Sequence, residues 1–185
     1  MNRAWLHSIE MALQLAPETR MIVCLRDLTQ IAGSMEARHQ KTILLDYVDG
    51  LADFDRFGRT DALFGKGRVV GDALVSLNAV NDLPAPVRER LYFLRFEDLM
   101  ADPQATFAHL CRWLGLAAIE ADFKALPQSA HESDSYHRLK FPHARQAAIT
   151  PPAVHTLPAR IERQIHTACK WFYDAWYPDL PRPGH

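Results

Sequence analysis

Two short apolar runs constrain this chain more than any other feature: Met21-Ile22-Val23-Cys24-Leu25, entered through Arg20, and Leu91-Tyr92-Phe93-Leu94-Arg95-Phe96. Neither alternates polar with apolar residues, so neither has the pattern of a strand with one face in water. Both have the pattern of strands buried on both faces, as in a parallel sheet. Each is followed by signals for a helix. Asp27 stands where it can cap a helix over Leu28–Lys41, with Ile31, Met35 and Arg38 spaced along it. After the second run come Glu97-Asp98-Leu99, an acidic turn, and then Asp102-Pro103, an N-cap with proline at the first helical position. The helix predicted over Pro103–Leu114 carries Phe107, Leu110, Cys111 and Leu114 on one face, with Gly115 as its stop. Strand–helix–strand–helix order predicts an α/β chain: a parallel sheet flanked by helices, in a single domain over residues 1–185.

The remaining segments fit around that frame. Helical spacing over residues 3–15 is closed by Pro17, and it resumes over Val69–Val80. Asp46–Arg68 reads as a loop or short broken helices, and Pro84–Arg90 as a short turn or helix entering the second strand. A short helix is expected over Ala118–Leu126. Residues 127–152 are polar, bear histidines and are punctuated by Pro142, Pro151 and Pro152, so they are expected to be irregular. One long helix is expected from about Pro158 to Trp176, with Ile161, Ile165, Cys169 and Phe172 as its core stripe.

Composition narrows the class. Hydrophobic residues make up 48% and charged residues 23%, and 21 Lys+Arg against 22 Asp+Glu leave a formal net charge of −1. No global field draws such a chain to nucleic acid or to an anionic membrane, so any anion site must be local. The apolar runs fall far short of the roughly 18 residues of a membrane span. The amino-terminal stretch makes a poor signal peptide, because His7 and Glu10 interrupt it. Three cysteines without CxxC spacing argue against both a disulfide framework and a structural zinc site. None of the nine histidines forms an i, i+4 pair, and no metal is expected. The expected compartment is the cytoplasm.

Chemistry concentrates at the first strand–helix junction. An arginine at the carboxyl end of a buried strand stands where open α/β sheets bind ligands. Ser34 follows Arg26 by eight residues, and an arginine fork with a hydroxyl is a sensible clamp for a phosphate. The alternative is structural: Arg26 pairs with Asp27 or Glu97, and Ser34 is only a small helix residue.

With the second strand added, the chain resembles the sulfotransferases that use 3′-phosphoadenosine 5′-phosphosulfate (PAPS), especially their bacterial branch. In that family a strand ends in Arg-Asp with a serine eight residues after the arginine, here Arg26-Asp27 and Ser34. A later strand ends in Tyr-Glu-Asp-Leu, with phenylalanine in place of the tyrosine in this chain, and leads through an Asp-Pro or similar start to a helix and a Leu-Gly pair. Here these are Phe96-Glu97-Asp98-Leu99, Asp102-Pro103 and Leu114-Gly115-Leu116. Asn2-Arg3-Ala4-Trp5 is similar to the Lys-x-Arg-x-Trp segment that precedes the helix before the family's arginine strand. Ser133–Pro151 is similar to its cofactor-covering loop, and the aromatic carboxyl-terminal helix also fits. The resemblance implies a P-loop-NTPase-like parallel sheet. It implies that Arg26 and Ser34 hold the 3′-phosphate of PAPS, or of the spent cofactor adenosine 3′,5′-bisphosphate (PAP). It further implies that Phe96 offers an aromatic wall to the adenine, and that Arg138, His143 and Arg145, with Lys140 nearby, close over the nucleotide.

One family element is missing from these 185 residues: the Ser-Gly-Thr phosphate loop that holds the 5′-phosphosulfate. Gly65-Lys66-Gly67 fails the GxxxxGK[ST] spacing and lacks the following hydroxyl. The fold is therefore expected to be amino-terminally incomplete: a carboxyl-terminal portion, a chain that pairs with a separate segment or with itself, or a degenerate relative. The function expected is sulfuryl transfer from PAPS to a hydroxyl or amine of a small-molecule or peptide acceptor. The alternative is a non-catalytic subunit that binds PAP or a partner chain. No residue stands out as the catalytic base, and the acceptor pocket is expected in Asp46–Arg68.

Overall fold

The computed structural model describes residues 5–41, 55–117, 119–126 and 148–181. A 3-10 turn over Trp5–Ser8 leads into α1 (Ile9–Leu15), followed by β1 (Met21–Leu25), α2 (Leu28–Lys41), α3 (Arg56–Phe64), α4 (Val69–Ala79) and α5 (Ala85–Arg88). Then come β2 (Leu91–Arg95), α6 (Phe96–Ala101), α7 (Pro103–Leu114), α8 (Ala159–Ala168) and α9 (Lys170–Trp176). The described architecture is mixed α/β, mostly helical, with a two-stranded parallel sheet. No described helix is long and apolar enough to cross a membrane. The described residues fall into two compact units: 5–26, 72–117, 119–126 and 148–151 form one, and 27–41, 55–71 and 152–181 form the other.

The first unit is built on the sheet. Met21 stands opposite Leu91 and Leu25 opposite Arg95, so both strands end at the same level. Strand geometry places Met21, Val23, Leu91 and Phe93 on one face. That face packs into a core centred on Ile9, Val80 and Leu91, with Leu6, Leu13, Leu83 and Val87 closing round it. The other face is covered unevenly. Tyr92 meets Trp113 of α7 with ring centroids 5.2 Å apart, whereas Ile22 on β1 remains 45% exposed and Cys24 is exposed too. The expected burial on both faces therefore fails for β1 among the described residues.

Helix α7 is bounded by the chemistry its sequence carries. The Asp102 carboxylate accepts a hydrogen bond from the Ala105 amide (2.9 Å), Pro103 opens the first turn, and Gly115 at φ +73° ends the helix. Just before it, Phe96-Glu97-Asp98-Leu99 is not a turn. It opens α6, whose first turn carries both acidic residues, where the helix dipole favours them. The helix expected over Ala118–Leu126 is also absent from 119–126. The Asp122 carboxylate instead accepts from the Lys124 amide (2.9 Å), a local bond that competes with helix formation.

The second unit is helical. Leu28 and Ala32 of α2 are buried, as are Leu63 of α3, Ile161 and Ile165 of α8, and Phe172, Tyr173 and Tyr177 at the carboxyl end. The stripe Ile161, Ile165, Cys169, Phe172 is buried as its spacing predicts, but the helix carrying it is broken at Cys169 (φ −108°, ψ 29°) into α8 and α9. Helix α2 holds the extended stretch before α8 at close range. The Gln30 side-chain amide donates to the His155 carbonyl (3.1 Å), and its carbonyl accepts from the His155 amide (3.2 Å). A Cβ at Gly33 would stand 2.5 Å from that of His155, so this approach requires glycine.

Candidate functional site

Parallel register brings the two strand ends together within the first unit. Because Leu25 pairs with Arg95, the residues that follow, Arg26 and Phe96, leave the sheet side by side. The Arg26 guanidinium lies over the Phe96 ring, 4.9 Å from its centroid. Arg26 is partly buried and, among the described residues, forms no ion pair. The structural alternative for Arg26, pairing with Asp27 or Glu97, is therefore not what is observed. Arg95, one residue earlier on the neighbouring strand, behaves differently: its Nε stands 3.7 Å from the Asp98 carboxylate in the first turn of α6.

Asp27 opens the second unit. Its carboxylate is buried, and one oxygen accepts three hydrogen bonds: from the Thr29 amide (2.8 Å), the Thr29 hydroxyl (2.9 Å) and the Tyr173 hydroxyl (3.0 Å). The first two make Asp27 the N-cap that the sequence predicts. The third comes from α9, and Tyr173 is only 1% exposed. Burial pushes the Tyr173 phenol well above its ordinary range, and the negative charge and hydrogen bond of Asp27 add to that rise. The phenol therefore stays a protonated donor. His166 stacks on the same ring at 4.0 Å between centroids.

The remaining expected site residues divide between placed and undescribed. Ser34 is partly buried on α2 in the second unit, and its hydroxyl makes no hydrogen bond among the described residues. Arg138, Lys140, His143 and Arg145 lie outside the described residues. The structure thus joins Arg26 with Phe96, while Ser34 is tied to Arg26 by its place in the sequence. Phe96 carries the guanidinium on its ring, so it orients the arginine.

A second charged cluster was not foreseen. Glu36 of α2 takes a two-point contact from Arg59 of α3, with Nε 2.8 Å from one oxygen and Nη2 2.6 Å from the other. Gln40 donates to the same carboxylate at 2.8 Å and Arg56 at 3.4 Å. Burial alone would raise the Glu36 carboxyl. The bonds from Arg59 and Gln40 and the two arginine charges outweigh it and hold the group at about 2. The Arg59 guanidinium is raised in turn, first by its bond to Glu36. Glu36 and Arg59, with His39 and Thr60, border a cavity of about 20 Å³. That is room for one water molecule and not for a nucleotide. The spacing of Glu36 and Gln40 signals a helix pair, but nothing local announces Arg59, 23 positions on.

Among the described residues no three His, Cys, Asp or Glu side chains gather as a metal site. Comparisons with known protein families, curated proteins and solved structures found no match.

Proposed function

We propose that this chain is a sulfotransferase-type protein that binds PAPS and PAP, on a sheet of P-loop-NTPase-like descent. The observation carrying this reading is Arg26: a guanidinium at the carboxyl end of a parallel strand, propped on an aromatic ring and with no carboxylate partner among the described residues. An arginine so placed presents its fork to a planar or tetrahedral anion. In this reading Arg26 takes the 3′-phosphate with the Ser34 hydroxyl that the resemblance pairs with it, and Phe96, whose ring carries the guanidinium, orients the arginine in place of the adenine wall that the resemblance implies. Arg138, His143 and Arg145 supply the covering cations that the resemblance implies. When bound, PAPS supplies the sulfuryl group, which passes to an acceptor oxygen or nitrogen while PAP departs and the acceptor's proton is released.

The 3′-phosphate is remote from the bond that breaks, so Arg26 and Ser34 act by binding and orientation. Calorimetric titration of the chain with PAP and with adenosine 5′-monophosphate (AMP) tests this. The expected result is at least tenfold tighter binding of PAP, since a charge-assisted contact to one further phosphate is worth about 1.5–3 kcal/mol. Equal affinities would remove the basis for the reading. Turnover of radiolabelled PAPS, with a set of phenols, alcohols and amines, then separates an enzyme from a binding subunit.

A further inference from the structure

We propose that Tyr173 is a positioning residue for the anion site: its hydroxyl keeps the Asp27 carboxylate occupied and so leaves the Arg26 guanidinium available to a phosphate. This rests on the nucleotide-binding reading above. The argument begins with adjacency, because Arg26 and Asp27 are consecutive, opposite in charge and both at the end of β1. A carboxylate next in sequence to a phosphate-binding arginine is its most accessible competitor. An ion pair between the two would draw the fork away from the ligand and cancel its charge.

In the structure Asp27 is committed elsewhere. Its Oδ1 accepts from the Thr29 amide, the Thr29 hydroxyl and the Tyr173 hydroxyl, and Arg26 rests on Phe96. Capping alone does not explain the arrangement. A helix cap needs one acceptor for one or two backbone amides, and solvated aspartates and asparagines do this equally well. Here the carboxylate is buried and a tyrosine hydroxyl, itself excluded from water, is directed at it from a segment 146 positions away. Burying a charged group with a polar partner is seldom the most stabilising solution for a core. It does fix where the charge points. Gln30 and Gly33 hold the next turns of α2 against His155, so the helix backbone is fixed in place and the direction of the Asp27 side chain is set by its donors.

The test compares the full chain with Tyr173→Phe, Asp27→Asn and the double variant, each titrated with PAP and with AMP. Tyr173→Phe removes one of the donors that hold the Asp27 carboxylate and so weakens its commitment away from Arg26. PAP affinity is expected to fall about tenfold, with AMP affinity unchanged, because AMP lacks the 3′-phosphate. Asn at position 27 still caps α2 but cannot form an ion pair. Adding Asp27→Asn to Tyr173→Phe is therefore expected to return PAP affinity to within about twofold of the parent. A purely structural tyrosine gives the opposite result, with a double variant no tighter than Tyr173→Phe. That outcome, or wild-type affinity in Tyr173→Phe, overturns the proposal. If the parent chain does not prefer PAP to AMP, the nucleotide reading falls and takes this inference with it. If the parent prefers PAP and Tyr173→Phe binds identically, this inference falls alone. Should Tyr173→Phe fail to fold by circular dichroism, Thr29→Val removes a different donor from the same oxygen. Its expected loss is about threefold, again reversed by Asp27→Asn, and absence of that reversal counts equally against the proposal.

Discussion

Arg26 and Arg59 are the same side chain in two settings. At the end of the sheet, Arg26 rests on the ring of Phe96 and has no carboxylate among the described residues. Between α2 and α3, Arg59 is held by both oxygens of Glu36 at 2.8 and 2.6 Å. A guanidinium in the second setting has its charge and donors satisfied by the protein, so it contributes to stability and has little to offer a ligand. One in the first setting contributes little to stability and keeps its donors for an anion. Exposure does not separate the two, since both are partly buried; the presence of an acidic partner does.

The sharpest way to break this contrast is to truncate each arginine and measure both properties. Arg26→Ala is expected to weaken PAP binding about ten- to hundredfold while leaving the melting temperature unchanged. A large loss of stability instead would make Arg26 a structural cation. Arg59→Ala should do the reverse, leaving PAP affinity as it was and lowering stability by about 1–3 kcal/mol in denaturant titration. The contribution of the pair also has a pH signature. The Glu36 carboxyl is lowered on folding from 4.5 to about 2, so its stabilisation is complete above the ordinary value. It is lost as pH falls from there towards 2, when the folded carboxylate is finally protonated. Acid titration of the chain and of Glu36→Gln should differ in that window and converge below it. Parallel curves throughout would show that the pair does not govern acid stability.

The smallest effect concerns the ring beneath Arg26. Phe96→Leu keeps the apolar volume but removes the cation–π contact, worth about 0.5–1 kcal/mol at a partly exposed site. A two- to fivefold loss of PAP affinity is expected by calorimetry. Full affinity in that variant would show that Arg26 needs no prop.

What could be read from the sequence was local. The two strands, the Asp27 and Asp102 caps and the Gly115 stop each depend on residues within a few positions of one another, and the structure has all of them. Helix α6 was misread because Phe96–Ala101 is too short to display an apolar period, although Glu97 and Asp98 in its first turn were a usable signal. The break at Cys169 was hidden by a continuous apolar stripe that the structure keeps buried through both helices. The ties that distinguish Arg26 from Arg59 were out of reach for another reason. Glu36 meets its arginine across 23 positions and Asp27 meets Tyr173 across 146, and no spacing rule extends that far. For Ser34 the sequence remains the stronger source, since eight positions from Arg26 is what ties the two together.

The parallel pairing of β1 with β2 also sets an order of events in time. Met21 meets Leu91 across roughly 70 residues of chain, so the sheet forms only after a long loop has closed. Helix α7 carries its own cap and stop and can form within microseconds. The junction that sets Arg26 beside Phe96 is thus among the last features to appear as the chain folds, and its assembly rate reports on the slowest contact in the sheet.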